Sequence, residues 1–103
     1  MYTKLAILFS MLLAPLVAAD LHNVGICVDH KGKTTVYNSN ATQAACRDYL
    51  ARNTGSKQWD QCPDCTMKNI GELDVCSSEA WHIGGDELNH YCKKNGAGAS
   101  MAT

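Results

Sequence analysis

The sequence predicts an α+β fold, a small disulfide-stapled α/β sandwich in which two helices pack on one face of an antiparallel sheet. Three observations lead to this prediction. The 103-residue chain is short and carries six cysteines. Two segments repeat apolar residues at helical spacing, and β-branched segments lie around them. A chain of this length holds one domain, whose helices and strands pack as layers over one core.

A secretory signal peptide is predicted over residues 1–19. Lys4 provides a positive start, an apolar core follows over residues 5–14, and Ala19 allows cleavage before Asp20. The alternative is an uncleaved membrane anchor, but the apolar core is shorter than the roughly 20 residues that a helix needs to span a bilayer. The protein is therefore predicted to be secreted and extracellular.

Residues 20–103 are predicted to form a single disulfide-rich domain. An even number of cysteines in a short exported chain is typical of a disulfide framework. The six are Cys27, Cys46, Cys62, Cys65, Cys76 and Cys92. Because so small a domain buries little apolar surface, each bridge matters and adds roughly 2–4 kcal/mol to its stability. The sequence leaves all pairings of the six open.

Strands are predicted from β-branched and alternating apolar segments. Residues 24–28 and 34–37 flank a turn-like segment and predict a hairpin. Alternating apolar residues predict further strands within 73–83, although residues 77–81 fit the start of a short helix equally well. Residues 98–103 are predicted to close the sheet as a final edge strand.

The first helix is predicted near residues 41–53. Asn40 can cap it, and Gln43 can reach back to that residue as in a capping box. Apolar residues, Cys46 among them, then repeat at helical spacing, and Gly55 supplies the stop.

The second helix is predicted near the C-terminus. Two glycines break the preceding segment, and Asp86 and Glu87 place negative charge at the helix start. Cys92 lies on the apolar face, and Gly96 can end the helix. Each helix thus presents one cysteine inward. Cys46 and Cys92 are therefore expected to tie their helices to strands and not to each other.

The Cys62-Pro63-Asp64-Cys65 motif resembles the active-site CxxC of thioredoxins and glutaredoxins. A redox CxxC needs its first thiolate at a helix N-terminus, and the residues after Cys65 do not read as a long helix. A zinc site would join this pair to Cys76 and His82. Export to an oxidising compartment argues against free thiolates, so we predict structural disulfides and neither a metal nor a cofactor.

A ribonuclease-like acid–base site is the main enzymatic alternative. Its candidate residues are His22, His30, His82, His90, Glu72, Glu79, Glu87, Arg47 and Arg52. The histidines lie in turns or beside helix ends, and no nucleophile–base pair stands out. The prediction is that the protein is not an enzyme and that these histidines are solvated surface groups.

Charge and aromatic residues bear on the partner. Without Lys4 the predicted mature chain has eight basic and ten acidic residues, a net charge of −2, and the basic residues are dispersed. Nucleic-acid and membrane partners favour concentrated basic charge, so neither is predicted after signal removal. Trp59 is a candidate partner contact, and Asn40-Ala41-Thr42 is a candidate N-glycosylation sequon. We predict a monomer.

These features together resemble the small cysteine-rich proteins that filamentous fungi secrete, many of them effectors of plant pathogens. The strand and helix order is also similar to that of the α/β-sandwich killer toxins of fungi. The resemblance covers the whole chain and rests on architecture and cysteine density. It implies a role outside the producing cell in manipulating a host or antagonising microbes.

The function predicted is that of a secreted, non-enzymatic, effector-like protein that acts by binding an unknown host or competitor protein. A killer-toxin-like or antimicrobial protein is the first alternative, and it would inhibit susceptible cells when added externally. A small secreted ribonuclease is the second, and it would lose its activity on His82→Ala or His90→Ala.

Overall fold

A computed structural model of the chain describes residues 21–103. The predicted signal peptide, residues 1–19, lies outside the described residues. Within them, strands, two α-helices and a short 3-10 helix at Gln58–Asp60 alternate along the chain. The strands are β1 Leu21–His22, β2 Val24–Lys31, β3 Thr34–Tyr37, β4 Thr66–Ile70, β5 Leu73–Ser77, β6 Ile83–Gly84 and β7 Ala99–Ala102. The helices are α1 Ser39–Leu50 and α2 Gly85–Lys94.

The long strand β2 lies at the centre of an antiparallel five-stranded sheet. Gly25 of β2 pairs with Cys76 of β5 and with Ala102 of β7, so these two strands lie on opposite edges of β2. Val28 likewise pairs with both β3 and β7, which places β3 on the same edge as β5. β4 pairs with β5, and the short strands β1 and β6 form a separate two-stranded sheet. β7 pairs only with β2 among the described strands, so the predicted final edge strand is confirmed.

Two disulfides place both helices on one face of this sheet. Cys27 of β2 is bonded to Cys92 of α2, and Cys76 of β5 is bonded to Cys46 of α1. Gly25 and Cys27 are two residues apart on one strand and so share a face. Cys76 pairs with Gly25 and shares that face as well. The predicted fold class and the predicted helix-to-strand bridging are therefore confirmed.

The core lies between the helices and the sheet. Its largest fully buried side chains include Tyr49 of α1, Ile83 of β6 and Leu88 of α2. A Cβ atom at Gly25 would collide with Cδ2 of Leu88, so the absence of a side chain there lets α2 lie directly on the central strand. Neither helix of residues 21–103 is long and apolar enough to cross a membrane.

Helix α1 begins earlier and ends earlier than the sequence predicts. The N-cap is Asn38, whose extended backbone lets its side chain accept a hydrogen bond of 2.9 Å from the Ala41 amide. Asn40 lies inside the first turn and does not cap the helix, and Gln43 donates to Ser39 Oγ. The helix ends at Leu50, where Ala51 is the C-cap, so Gly55 is not the stop.

The remaining predicted elements hold with two corrections. The predicted hairpin is confirmed, but β2 continues to Lys31, which shortens the turn to Gly32 and Lys33. Gly32 has a φ of +64°, a conformation that glycine adopts without strain. Residues 77–81 form no helix because Asp64 holds them in a turn, and Trp81 lies outside any strand.

Candidate functional site

The CxxC motif forms the third disulfide, between Cys62 and Cys65. Both residues are buried, and β4 begins at Thr66, so the helix N-terminus that would activate a redox thiolate is not there. The Cys65 sulfur lies within 4.8 Å of the sulfurs of the neighbouring Cys46–Cys76 bridge. All six sulfurs are bonded in pairs, which leaves none of them as the thiolate that the zinc hypothesis requires.

Asp64, inside the CxxC loop, clamps the loop that follows β5. Its Oδ1 accepts a hydrogen bond of 2.7 Å from Ser78 Oγ, and its Oδ2 accepts one of 2.9 Å from the Ala80 amide. Burial alone would raise the pKa of Asp64, but these two bonds and the nearby His82 together lower it. Asp64 therefore stays ionised, and each of its two oxygens accepts a hydrogen bond from the loop, so its role is structural.

The residues of the ribonuclease hypothesis do not assemble into an acid–base site at this clamp. Ser78 Oγ accepts a hydrogen bond from the backbone amide of His82, at 2.9 Å, and not from its ring. The ring instead bonds through Nδ1 to the Gln58 carbonyl, at 2.8 Å. His30 contacts Thr35 on the β2–β3 hairpin, and His90 packs edge-on against Tyr91 on α2. The structure therefore distributes the histidines over separate elements.

A second set of polar contacts, around Tyr49, joins the helices to the loops around β6. Tyr49, which is fully buried, directs its hydroxyl to the carbonyl oxygens of Trp59 and His82, at 2.8 and 3.1 Å, and accepts from the Gly84 amide at 3.1 Å. The Arg52 guanidinium lies 5.7 Å from the Tyr91 ring centroid and donates to its hydroxyl. Burial raises the pKa of Tyr49 to about 12. These contacts hold the two helices to the loops around β6.

The centre of the sheet face opposite the helices is apolar. Side chains alternate along a strand, so Val24 and Ile26 project away from the face that carries Cys27. Ile26 pairs with Met101 of β7, which places that methionine on the same side. A shallow depression of about 200 Å³ runs across this face. We call it the strand groove, lined by Val24, Gly25, Ile26, Leu73, Val75, Met101, Ala102 and Thr103.

The strand groove is partly exposed, with Val75 buried in it and Val24, Ile26 and Leu73 half-buried. Met101 is 56% exposed, and Ile70, paired with Leu73 at the end of β5, is 46% exposed. Lys68 is exposed on the same face beside Val75 and supplies a polar rim. An apolar surface bordered by polar groups is typical of an interaction site. Sequence reasoning missed it, although the unbroken apolar run of residues 24–28 signals a strand with two apolar faces.

The two tryptophans of the chain lie on loops that are tied together. Trp59, the predicted partner contact, is half-buried in the 3-10 helix. It packs closely on Gly84, because a Cβ atom added at Gly84 would lie 2.9 Å from the Cβ of Trp59. Trp81 is 48% exposed and has a φ of +61°. Gln58 Nε2 donates to the carbonyl oxygens of Ala80 and Trp81, at 2.8 and 3.3 Å. The more exposed tryptophan of this surface is thus Trp81.

Comparison with known proteins identifies the family. A family model described as biotrophy-associated secreted protein 4 (BAS4) matches residues 20–101. The chain belongs to this family. BAS4 proteins are secreted fungal effectors associated with biotrophy, so the predicted extracellular location and effector class are confirmed. Neither a curated protein nor a solved structure matches this BAS4-family chain, so its similarity to killer toxins stays a prediction.

Proposed function

We propose that this BAS4-family protein is a non-enzymatic effector that binds an extracellular host protein through the strand groove. The observation that carries the proposal is the apolar sheet face that the helices leave uncovered. Biotrophy, in the family description, requires a living host, which favours a host protein over a competitor's as the partner. The predicted cleavage before Asp20 removes none of the residues that line the groove, which all lie within residues 20–103.

The groove suits binding because disulfides on the opposite face of the sheet constrain the backbone of its strands. Two of the three strands that line it, β2 and β5, carry Cys27 and Cys76, and each of these cysteines is bonded to a helix on the opposite face. A surface fixed in this way loses little conformational entropy when a partner docks. Apolar side chains at the centre with polar groups at the rim match the anatomy of protein interfaces.

The sheet face is tested with Met101→Glu. Its side chain is half-exposed on the edge strand, so we expect the variant to fold and to bind proteins of host extracellular fluid at least ~10-fold more weakly, since each 1.4 kcal/mol is tenfold in affinity. The matched control is Leu50→Glu, because Leu50 is 47% exposed on α1, on the helix side. A photo-crosslinking residue placed at position 101 or at position 50 tests the same difference between the sheet face and the helix side. Equal crosslinking at both positions, or equal loss of binding, would reject the groove.

The tryptophan surface is a second contact that we propose for the same partner, with Trp59 at its base and Trp81 at its exposed end. A φ of +61° is unfavourable for tryptophan and free for glycine. Trp81→Gly is therefore expected to preserve or raise thermal stability while weakening binding. Glu72→Gly is the control, because Glu72 has a φ of +68° in the turn between β4 and β5. Undiminished binding of Trp81→Gly would remove this contact.

The alternative functions give distinct results with the same purified protein. Inhibition of susceptible cells on external addition favours the killer-toxin-like alternative. Degradation of RNA that is lost in His82→Ala or His90→Ala favours a ribonuclease. Reproducible turnover of any substrate contradicts the binding function, whereas a crosslinked host protein at position 101 supports it.

A further inference from the structure

We propose that Asn40 carries an N-linked glycan, which projects from the helix face of the protein. Asn40-Ala41-Thr42 is the one Asn-X-Ser/Thr sequon of the sequence. A secreted chain passes through the compartment in which such sequons are modified. The sequon alone is a common pattern, and the structure adds three observations.

The first observation is that the Asn40 side chain neither caps the helix nor forms a hydrogen bond within the described residues. The helix cap is Asn38, and the Asn40 side chain forms no hydrogen bond within residues 21–103. Asparagine is also a weaker helix former than most residues that tolerate an exposed position. Thr42, in contrast, is explained by the core, because its Oγ1 accepts from the Cys27 amide at 2.8 Å and donates to the Asn38 carbonyl at 2.7 Å.

The second observation is the exposure of the site. Asn40 is exposed, and the helical period of 3.6 residues per turn places it on the side of α1 opposite the buried Ala45 and Tyr49. The neighbouring Ala41 and Thr42 point into the core. A glycan at position 40 therefore extends into solvent without displacing any packed side chain.

The third observation concerns direction. The α1 residues that pack inward face the sheet, so Asn40, on the opposite side of the helix, points away from the strand groove. A glycan on Asn40 and a partner in the groove can therefore be accommodated together, an arrangement that rests on the proposed function.

The chemistry is a transfer of a preformed oligosaccharide from a lipid-diphosphate donor. The Asn40 amide nitrogen Nδ2 bonds to the anomeric carbon of the first sugar while the bond from that carbon to the diphosphate oxygen breaks. The amide loses one proton, and the lipid diphosphate leaves. The transfer precedes folding, so the later burial of Thr42 does not hinder recognition of the sequon.

The test is the intact mass of the protein secreted by its native source, before and after treatment with a peptide N-glycosidase. We expect a loss on the order of 1 kDa or more, with Asn40 converted to aspartate. Asn40→Gln is expected to be secreted at the deglycosylated mass and with unchanged thermal stability. Thr42→Ser retains the hydroxyl and the sequon and is expected to keep the glycan.

Two results would overturn the proposal. One is a native mass equal to that of the polypeptide alone, and the other is a carbohydrate mass that persists in Asn40→Gln. The arrangement with the groove has a separate readout. The glycosylated protein and Asn40→Gln should crosslink equally to host protein at position 101, so the site and the proposed binding function can fail independently.

Discussion

Removal of the Cys27–Cys92 bridge is expected to leave the protein unfolded or nearly so at 37 °C. The bridge closes a sequence separation of 65 residues and ties α2 to the central strand. The loop-entropy relation gives about 4 kcal/mol for a loop of this length. Small domains have a total free energy of unfolding of only about 5–15 kcal/mol. The double variant Cys27→Ala/Cys92→Ala is measured by circular dichroism and urea denaturation.

The other two bridges provide the matched comparison. Cys46–Cys76 spans 30 residues and Cys62–Cys65 spans 3, for which the same relation gives about 3.5 and about 1.5 kcal/mol. We therefore expect Cys62→Ala/Cys65→Ala to remain folded, with the Cys46/Cys76 variant between the extremes. If removal of the shortest bridge destabilises most, the framework does not act through loop closure.

Tyr49→Phe is expected to lower the free energy of unfolding by roughly 2–4 kcal/mol at neutral pH. The substitution leaves the buried Gly84 amide without its acceptor and removes the donor to the Trp59 carbonyl. Tyr37→Phe is the control, because the Tyr37 hydroxyl donates to the Asp74 carbonyl at an exposed site, where water replaces it. Equal losses in the two variants would show that burial of the Tyr49 hydroxyl is not the cause.

The same tyrosine makes stability depend on alkaline pH. Burial raises the pKa of Tyr49 from 10.0 to about 12, so the folded state keeps a proton that the unfolded state has released. This contribution is complete below pH 10 and is lost as the pH rises from 10 to 12, at about 1.4 kcal/mol for each pH unit. Wild type should therefore lose stability more steeply over this range than Tyr49→Phe. Parallel curves for the two proteins would contradict the raised pKa.

Most of the fold follows from local sequence patterns. Helix α2 is predicted well because its glycines, acidic start and inward-facing Leu88 and Cys92 all indicate the same element. The errors lie at boundaries. Both Asn38 and Asn40 are acceptable caps by residue type, and only the extended backbone of Asn38, held where β3 ends, decides between them. Local patterns leave the loop after Ser77 ambiguous because Asp64, which holds that loop, is distant in sequence.

The candidate site was less accessible to sequence reasoning. The sequence offers Trp59 as a partner contact by residue type alone, yet Trp81 is the more exposed of the two tryptophans. The strand groove combines β2, β5 and β7, which lie far apart along the chain. Local patterns indicate that Ile26 and Met101 belong to strands. They do not indicate that the two residues pair, because pairing depends on the order of strands in the sheet.

The secreted class, the disulfide framework, the two helices and the inward position of one cysteine on each can all be predicted from the chain alone. These properties depend on composition and on the periodicity of neighbouring residues, which a single chain displays directly. The pairing of the cysteines, the choice of Asn38 over Asn40 as helix cap, and the sheet face that the helices leave uncovered become visible only in the folded structure. Each of these depends on contacts between residues distant in sequence. Both helices, for example, pack on one face of the sheet and leave the opposite face without a helix.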